Sequence, residues 1–216
     1  TPLYSSAASD VYKRQGSNSR KSAVLMRIST TVLESYRLYS TGDWMSFDDM
    51  VATATGKTQW TEKMLVGTAF EAAVNEVESD LEIQIDPVGV RRVRSLLPPL
   101  RTPQVKIVGQ VAGHDIVGVA DYLVGNEVRD LKCTHRAIDP ERYASSLQWQ
   151  TYLHLFESDK FWYDVVYVAK KKDTWTVRDI QSFSLWPYPA MAATLERWVN
   201  EYSNWYEKHI SEDRPV

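Results

Sequence analysis

The sequence predicts an α/β fold in which a mixed central β-sheet is flanked by α-helices. Apolar residues recur at helical spacing from Gln59 to about Ser79, and strand-like apolar runs dominate from Val105 to Cys133. A further helix, two strands and a last helix follow, and that order calls for a mixed sheet with helices packed on it. Turn residues divide the runs, most plainly Gly125-Asn126 between two apolar-rich segments, the pattern of a β-hairpin.

Taken in order, Ser29 is placed to cap a helix over about Thr30–Ser40 that Gly42 ends. A short helix follows Ser46, with Gly56 as its stop. From Gln59 to about Ser79 the spacing of Trp60, Met64, Phe70, Val74 and Val77 predicts a longer amphipathic helix. Arg91, Arg92 and Arg94 lie on a basic helix or loop closed by Pro98-Pro99. Strands are expected over Val105–Val111, His114–Val124 and Glu127–Cys133. Pro140 opens a helix running through about Phe156. Strands over Phe161–Ala169 and Thr174–Phe183 are joined by a turn from Lys170 to Asp173. A helix over about Pro189–His209 closes the chain, with Leu195, Trp198, Val199, Tyr202 and Trp205 on its packing face.

Composition bounds the function. The 216 residues suit one domain with a sizeable core, and 44% hydrophobic with 25% charged residues is ordinary for a globular protein. Residues 1–22 read as a disordered or foreign leader, Ser-rich and without periodicity, and 23–216 as a single domain. No run is long and apolar enough for a membrane helix and no secretory signal is recognisable, so a cytoplasmic location is expected. The lone Cys133 rules out an internal disulfide framework and any four-cysteine zinc or iron–sulfur site. A net charge of −3 gives no global attraction to nucleic acid, so contacts to phosphate must come from local basic clusters or a bound metal.

The run from Val119 to Cys133 carries the chemistry. Asp121 interrupts an apolar strand, where an ionised carboxylate is costly unless a cation or hydrogen bonds compensate it. Side chains alternate along a strand, so Asp130 and Lys132 point one way and Leu131 the other. Two carboxylates and an ammonium gathered on a hairpin can hold a divalent metal and a water. Alone, Asp130-Leu131-Lys132 is as well explained by the solvated face of an edge hairpin, and Glu71 by an exposed helix position. Gln148 and Tyr152, four residues apart on one helix face, are also a pairing that chance supplies often.

Together, Gly67 to Glu71 on a helix, Asp121 on a strand, Asp130 to Lys132 on the next and Gln148 to Tyr152 on the following helix resemble the PD-(D/E)XK nuclease superfamily. The likeness is to its RecB-like branch, which includes phage exonucleases of the lambda and YqaJ type, and it spans about residues 29–169. It implies a restriction-endonuclease-like core and metal-dependent hydrolysis of DNA, as an exonuclease in phage or bacterial recombination and repair. The superfamily also holds structure-specific endonucleases and catalytically silent DNA-binding or assembly modules. By that resemblance Glu71, Asp121, Asp130 and the Leu131 carbonyl would hold Mg²⁺ or Mn²⁺, Lys132 would orient the attacking water, and Gln148 and Tyr152 would hold the DNA backbone. It also implies a homo-oligomer and a recombination partner protein. The cysteine cluster of the CRISPR-adaptation relatives is absent, which argues against an iron–sulfur cluster.

The remaining candidates have plainer readings. His135 lies near the site and is expected on a loop, while His114, His154 and His209 lack ligand spacing. Cys133 is expected as a small buried hydrophobe. Arg91, Arg92, Arg94 and Arg101 fit a phosphate grip and a solvated basic stretch about equally.

Overall fold

The computed structural model describes residues 25–211; the leader expected over 1–22 lies outside them. In chain order the elements are β1 (Arg27–Ser29), α1 (Thr30–Ser40), α2 (Phe47–Ala54), α3 (Glu62–Asn75), β2 (Gln84–Ile85), α4 (Pro87–Leu96), β3 (Thr102–Val111), β4 (His114–Val124), β5 (Glu127–Thr134), α5 (Pro140–Ala144), α6 (Leu147–Phe156), β6 (Lys160–Lys171), β7 (Thr174–Leu185) and α7 (Met191–Tyr206), closed by a π-helical turn over Glu207–Ser211. This is the expected mixed sheet with helices on it.

Several elements form for the local reasons the sequence offers. The Ser29 hydroxyl accepts the Val32 N–H at 3.2 Å and starts α1. Ser46 caps α2 in the same way at 3.1 Å. Asp86 and Pro87 open α4, so the Arg91–Arg94 stretch is helical. Gly125 takes φ +59° in the two-residue turn between β4 and β5, a conformation that glycine adopts without steric cost.

Three expectations are corrected. The helix over Gln59–Ser79 is shorter: Thr61 caps it, and Glu76 in the left-handed region ends it. Trp60 and Val77 therefore lie outside it and are exposed, while Val66 and Ala69 join Phe70 and Val74 in the core. The helix from Pro140 to Phe156 is two helices, because the Ser146 hydroxyl takes the Gln148 N–H at 3.0 Å and starts a second one. The Leu147 N–H is then satisfied by Glu34 of α1 at 2.7 Å, a partner 113 residues away. The strands β1 and β2, too short to show a period, were not expected.

The seven-stranded sheet runs β1-β4-β5-β6-β7-β2, with β3 also paired to β4. Strand β4 thus serves three partners. Antiparallel β3 takes one edge for almost its whole length, from Val111↔His114 to Thr102↔Leu123. The other edge is divided: parallel β1 pairs with Asp115–Val117, and β5 pairs only at Tyr122↔Arg129, Leu123↔Val128 and Val124↔Glu127. Beyond Arg129, β5 leaves β4 while keeping its long parallel ladder with β6. The opening between β4 and β5 exposes backbone groups that must find other partners.

Helices pack on both faces. On one, α3 and α4 bury Val66, Phe70, Val90 and Val93 against Leu131, Val166 and Val168. On the other, α6 sets Trp149, Tyr152 and Leu153 on Ala120, Phe161 and Val165, while α1 and α7 close over Ile28 and Ile116. The aromatic residues of α7 are core, as expected: Trp198, Tyr202, Trp205 and Tyr206 are all buried.

Candidate active site

The opening between β4 and β5 is where the acidic residues gather. Asp121, on the unpaired stretch of β4, reaches across it: its Oδ2 accepts the Leu131 N–H of β5 at 2.8 Å. A side chain thus replaces the missing ladder bond. On β5, Asp130 and Lys132 share a face, with Lys132 Nζ 2.8 Å from Asp130 Oδ2. Leu131 points the other way, into the core under α3 and α4. Asp130 is 1% exposed. Its Oδ1 accepts the Gln148 Nε2 amide from the first turn of α6 at 3.0 Å, which leaves the Lys132 ammonium as the partner of its buried Oδ2.

Glu71 enters from α3. Its Oε1 accepts the Gln104 Nε2 amide at 2.7 Å, and the same amide lies 3.4 Å from Asp121 Oδ1. Gln104, on β3, is a site residue that sequence reasoning missed. It sits directly across from Asp121, between the pairs Pro103↔Tyr122 and Val105↔Ala120. Its φ of +51° is one that side-chain-bearing residues adopt at a cost. Nothing in a strand pattern signals that conformation.

The electrostatics bind these residues into one unit. Burial raises Asp121 well above the usual carboxylate range, and Asp130 and Glu71 push it further the same way. Glu71 is raised by burial and by Asp130, against the opposing pull of Lys132 and Gln104. Burial works to lower Lys132, yet Asp130 and Asp121 outweigh it and hold the ammonium above its ordinary range. Three carboxylates face one ammonium, so a confined region carries excess negative charge and hard oxygen donors. Such a donor set suits Mg²⁺ or Mn²⁺. Among the described residues, however, no three His, Cys, Asp or Glu side chains form a ready-made cage. Gln104 is inserted between Glu71 and Asp121, and Lys132 is drawn onto Asp130.

No protein-family profile and no curated protein sequence matches the chain. Solved structures do. A protein of Eubacterium rectale described as a candidate exonuclease superposes with a TM-score of 0.59 at 11% identity, over 88% of this chain and 83% of that one. The alkaline exonuclease LHK-Exo of Laribacter hongkongensis gives 0.52 at 15% identity, over 86% of this chain and 90% of its own. LHK-Exo in complex with dAMP gives 0.50 at 13%, over 86% and 93%. The fold is that of the solved exonucleases.

Within this exonuclease fold, Glu71, Asp121, Asp130, Lys132 and Gln148 come together as one cluster. Tyr152 departs from expectation. It is 3% exposed and its hydroxyl donates to the Val119 carbonyl at 2.7 Å, so it ties α6 to the unpaired stretch of β4 and has no free hydroxyl for a DNA backbone. Arg94 is likewise spoken for: it donates to the Val74 and Ala73 carbonyls and pairs with Glu76, holding α4 to the end of α3. Arg101 lies over the Tyr122 ring at 5.1 Å, whereas Arg91 and Arg92 stay exposed. His135 meets the Lys63 carbonyl and the Trp175 ring, and buried His114 receives the Met26 N–H. Burial pushes the Cys133 thiol up to about 12. That makes it an inert packing group rather than a nucleophile.

A cavity of about 590 Å³ adjoins the cluster, lined by Lys132 and Gln148 and by Arg37, Arg136, Arg142 and the exposed Trp44. Arg37 is paired with Glu34 and Asp43. Arg136 and Arg142 are exposed at its rim.

Proposed function

We propose that this chain is a Mg²⁺- or Mn²⁺-dependent deoxyribonuclease, acting as an exonuclease in phage or bacterial recombination and repair. One observation carries the reading: Glu71, Asp121 and Asp130 gather beside Lys132 where β4 and β5 part. The shared fold with solved exonucleases, one of them holding dAMP, supports it. No helix among the described residues is long and apolar enough to cross a membrane.

In this reading Glu71, Asp121, Asp130 and the Leu131 carbonyl would hold the cation. A bound divalent ion supplies neutralisation of phosphate charge and acidification of a water. The chain's own groups do the rest. Lys132, kept charged by Asp130 and Asp121, orients the attacking water and offsets charge accumulating on the phosphate. Gln148 fixes the Asp130 carboxylate and stands at the cavity wall, where a DNA backbone passing Arg136 and Arg142 would run. Tyr152 contributes by holding Val119, not by touching DNA.

The test is digestion of linear duplex DNA with Mg²⁺ and with chelator, beside a Lys132→Ala variant. Degradation should need Mg²⁺ and fail in the variant; equal degradation by both proteins would refute the site. Covalently closed circles should survive, because an exonuclease needs an end. Cleaved circles would mean a structure-specific endonuclease.

A further inference from the structure

Gln104 occupies an unusual place for a residue that only decorates a strand. Its backbone takes a left-handed conformation opposite Asp121, skipping one pair of the β3–β4 ladder. That geometry carries its amide to the two carboxylates. One Nε2 group meets Glu71 Oε1 at 2.7 Å and Asp121 Oδ1 at 3.4 Å. The other Asp121 oxygen is engaged by the Leu131 N–H, so Oδ1 is the oxygen left for a further partner. The Gln104 side chain is itself exposed, and its departure from the acids would uncover no core.

We propose that Gln104 is a positioning residue that competes with the divalent cation for Glu71 and Asp121. Its N–H groups draw together two carboxylates that would otherwise repel, and must release them when a cation takes the same oxygens. Gln104 therefore limits how tightly the site holds its metal. This rests on the metal-nuclease reading above.

Mn²⁺ titration of the full chain, followed by the electron paramagnetic resonance signal of the free ion, separates the two claims. Wild type should bind saturably and Asp121→Asn should not. Gln104→Leu keeps the bulk without a donor, and Gln104→Gly removes the amide while suiting φ +51°. Both should bind Mn²⁺ more tightly, by about tenfold for the loss of a competing hydrogen bond to charged oxygens. A merely structural residue would weaken binding when removed. Unchanged or weaker affinity in either variant overturns the Gln104 proposal while wild-type binding leaves the nuclease reading standing. Absence of saturable binding by wild type overturns both.

Discussion

The Asp121 carboxylate and the Leu131 N–H meet at 2.8 Å across the opening between β4 and β5. The same side chain therefore closes a gap in the sheet and supplies an oxygen to the candidate site. Its two roles are separable by substitution. Asp121→Ala leaves the Leu131 N–H unsatisfied and should destabilise the protein by about 1–3 kcal/mol. Asp121→Asn keeps an acceptor, should fold normally and should still lose the proposed nuclease activity. Denaturant unfolding of both variants checks this; equal stability of the two would refute the bridging role.

Lys132 is the only cation within reach of Asp130 Oδ2 among the described contacts. Lys132→Met should lower turnover by about two to four orders of magnitude, since a donor aimed at developing charge contributes a few kcal/mol. It should also lower thermal stability in chelator, because buried Asp130 loses its counter-ion. Added Mn²⁺ should restore the stability and not the rate.

Gly118 tests the far end of the opening. A Cβ there would fall 2.7 and 3.0 Å from ring carbons of Tyr152, which cannot move without giving up the Val119 carbonyl. Gly118→Ala should cost about 1–3 kcal/mol of stability by overpacking. It should also reduce activity at temperatures where the variant remains folded. A variant with wild-type melting and rate would show that Tyr152 positions nothing.

The pH dependence has two opposite limbs. Asp121 is raised by burial, Asp130 and Glu71, and Glu71 by burial and Asp130, so both take up protons above the ordinary carboxylate range of about 4. Protonated, they cannot hold a cation. At sub-saturating Mg²⁺ activity should fall as pH drops through that raised range. Stability in chelator should move the other way. A folded state that binds protons more readily than the unfolded chain gains stability as pH falls through the folded values. Asp121→Asn should lack that gain, so its advantage over wild type should shrink on acidification. Lys132 is raised, so its contribution is present through neutral pH and is lost only above the ordinary lysine range. Melting curves across this range decide it; a wild-type melting temperature that falls steadily on acidification, in step with Asp121→Asn, refutes the assignment.

Much of this was legible in the sequence where neighbours along the chain decide the outcome. The Gly125-Asn126 turn set the β4–β5 hairpin, and strand alternation put Asp130 and Lys132 together with Leu131 opposed. What escaped depended on partners far along the chain. The break between α5 and α6 is stabilised by Glu34, and Gln104 matters because it faces Glu71 and Asp121. Trp60 and Val77 fit a helical period yet lie past the ends that Thr61 and Glu76 impose. Tyr152 matched a motif position, but only packing reveals that its hydroxyl is committed to Val119.

The two-residue connection after Val124 also limits how this chain can vary. Adding or deleting one residue there would slip β5 by one position against β4 and send every side chain to the other side. Lys132 would then be thrust among the apolar residues beneath α3, and Leu131 would stand where the ammonium belongs. The length of this turn is thus fixed by the face that Asp130 and Lys132 must present.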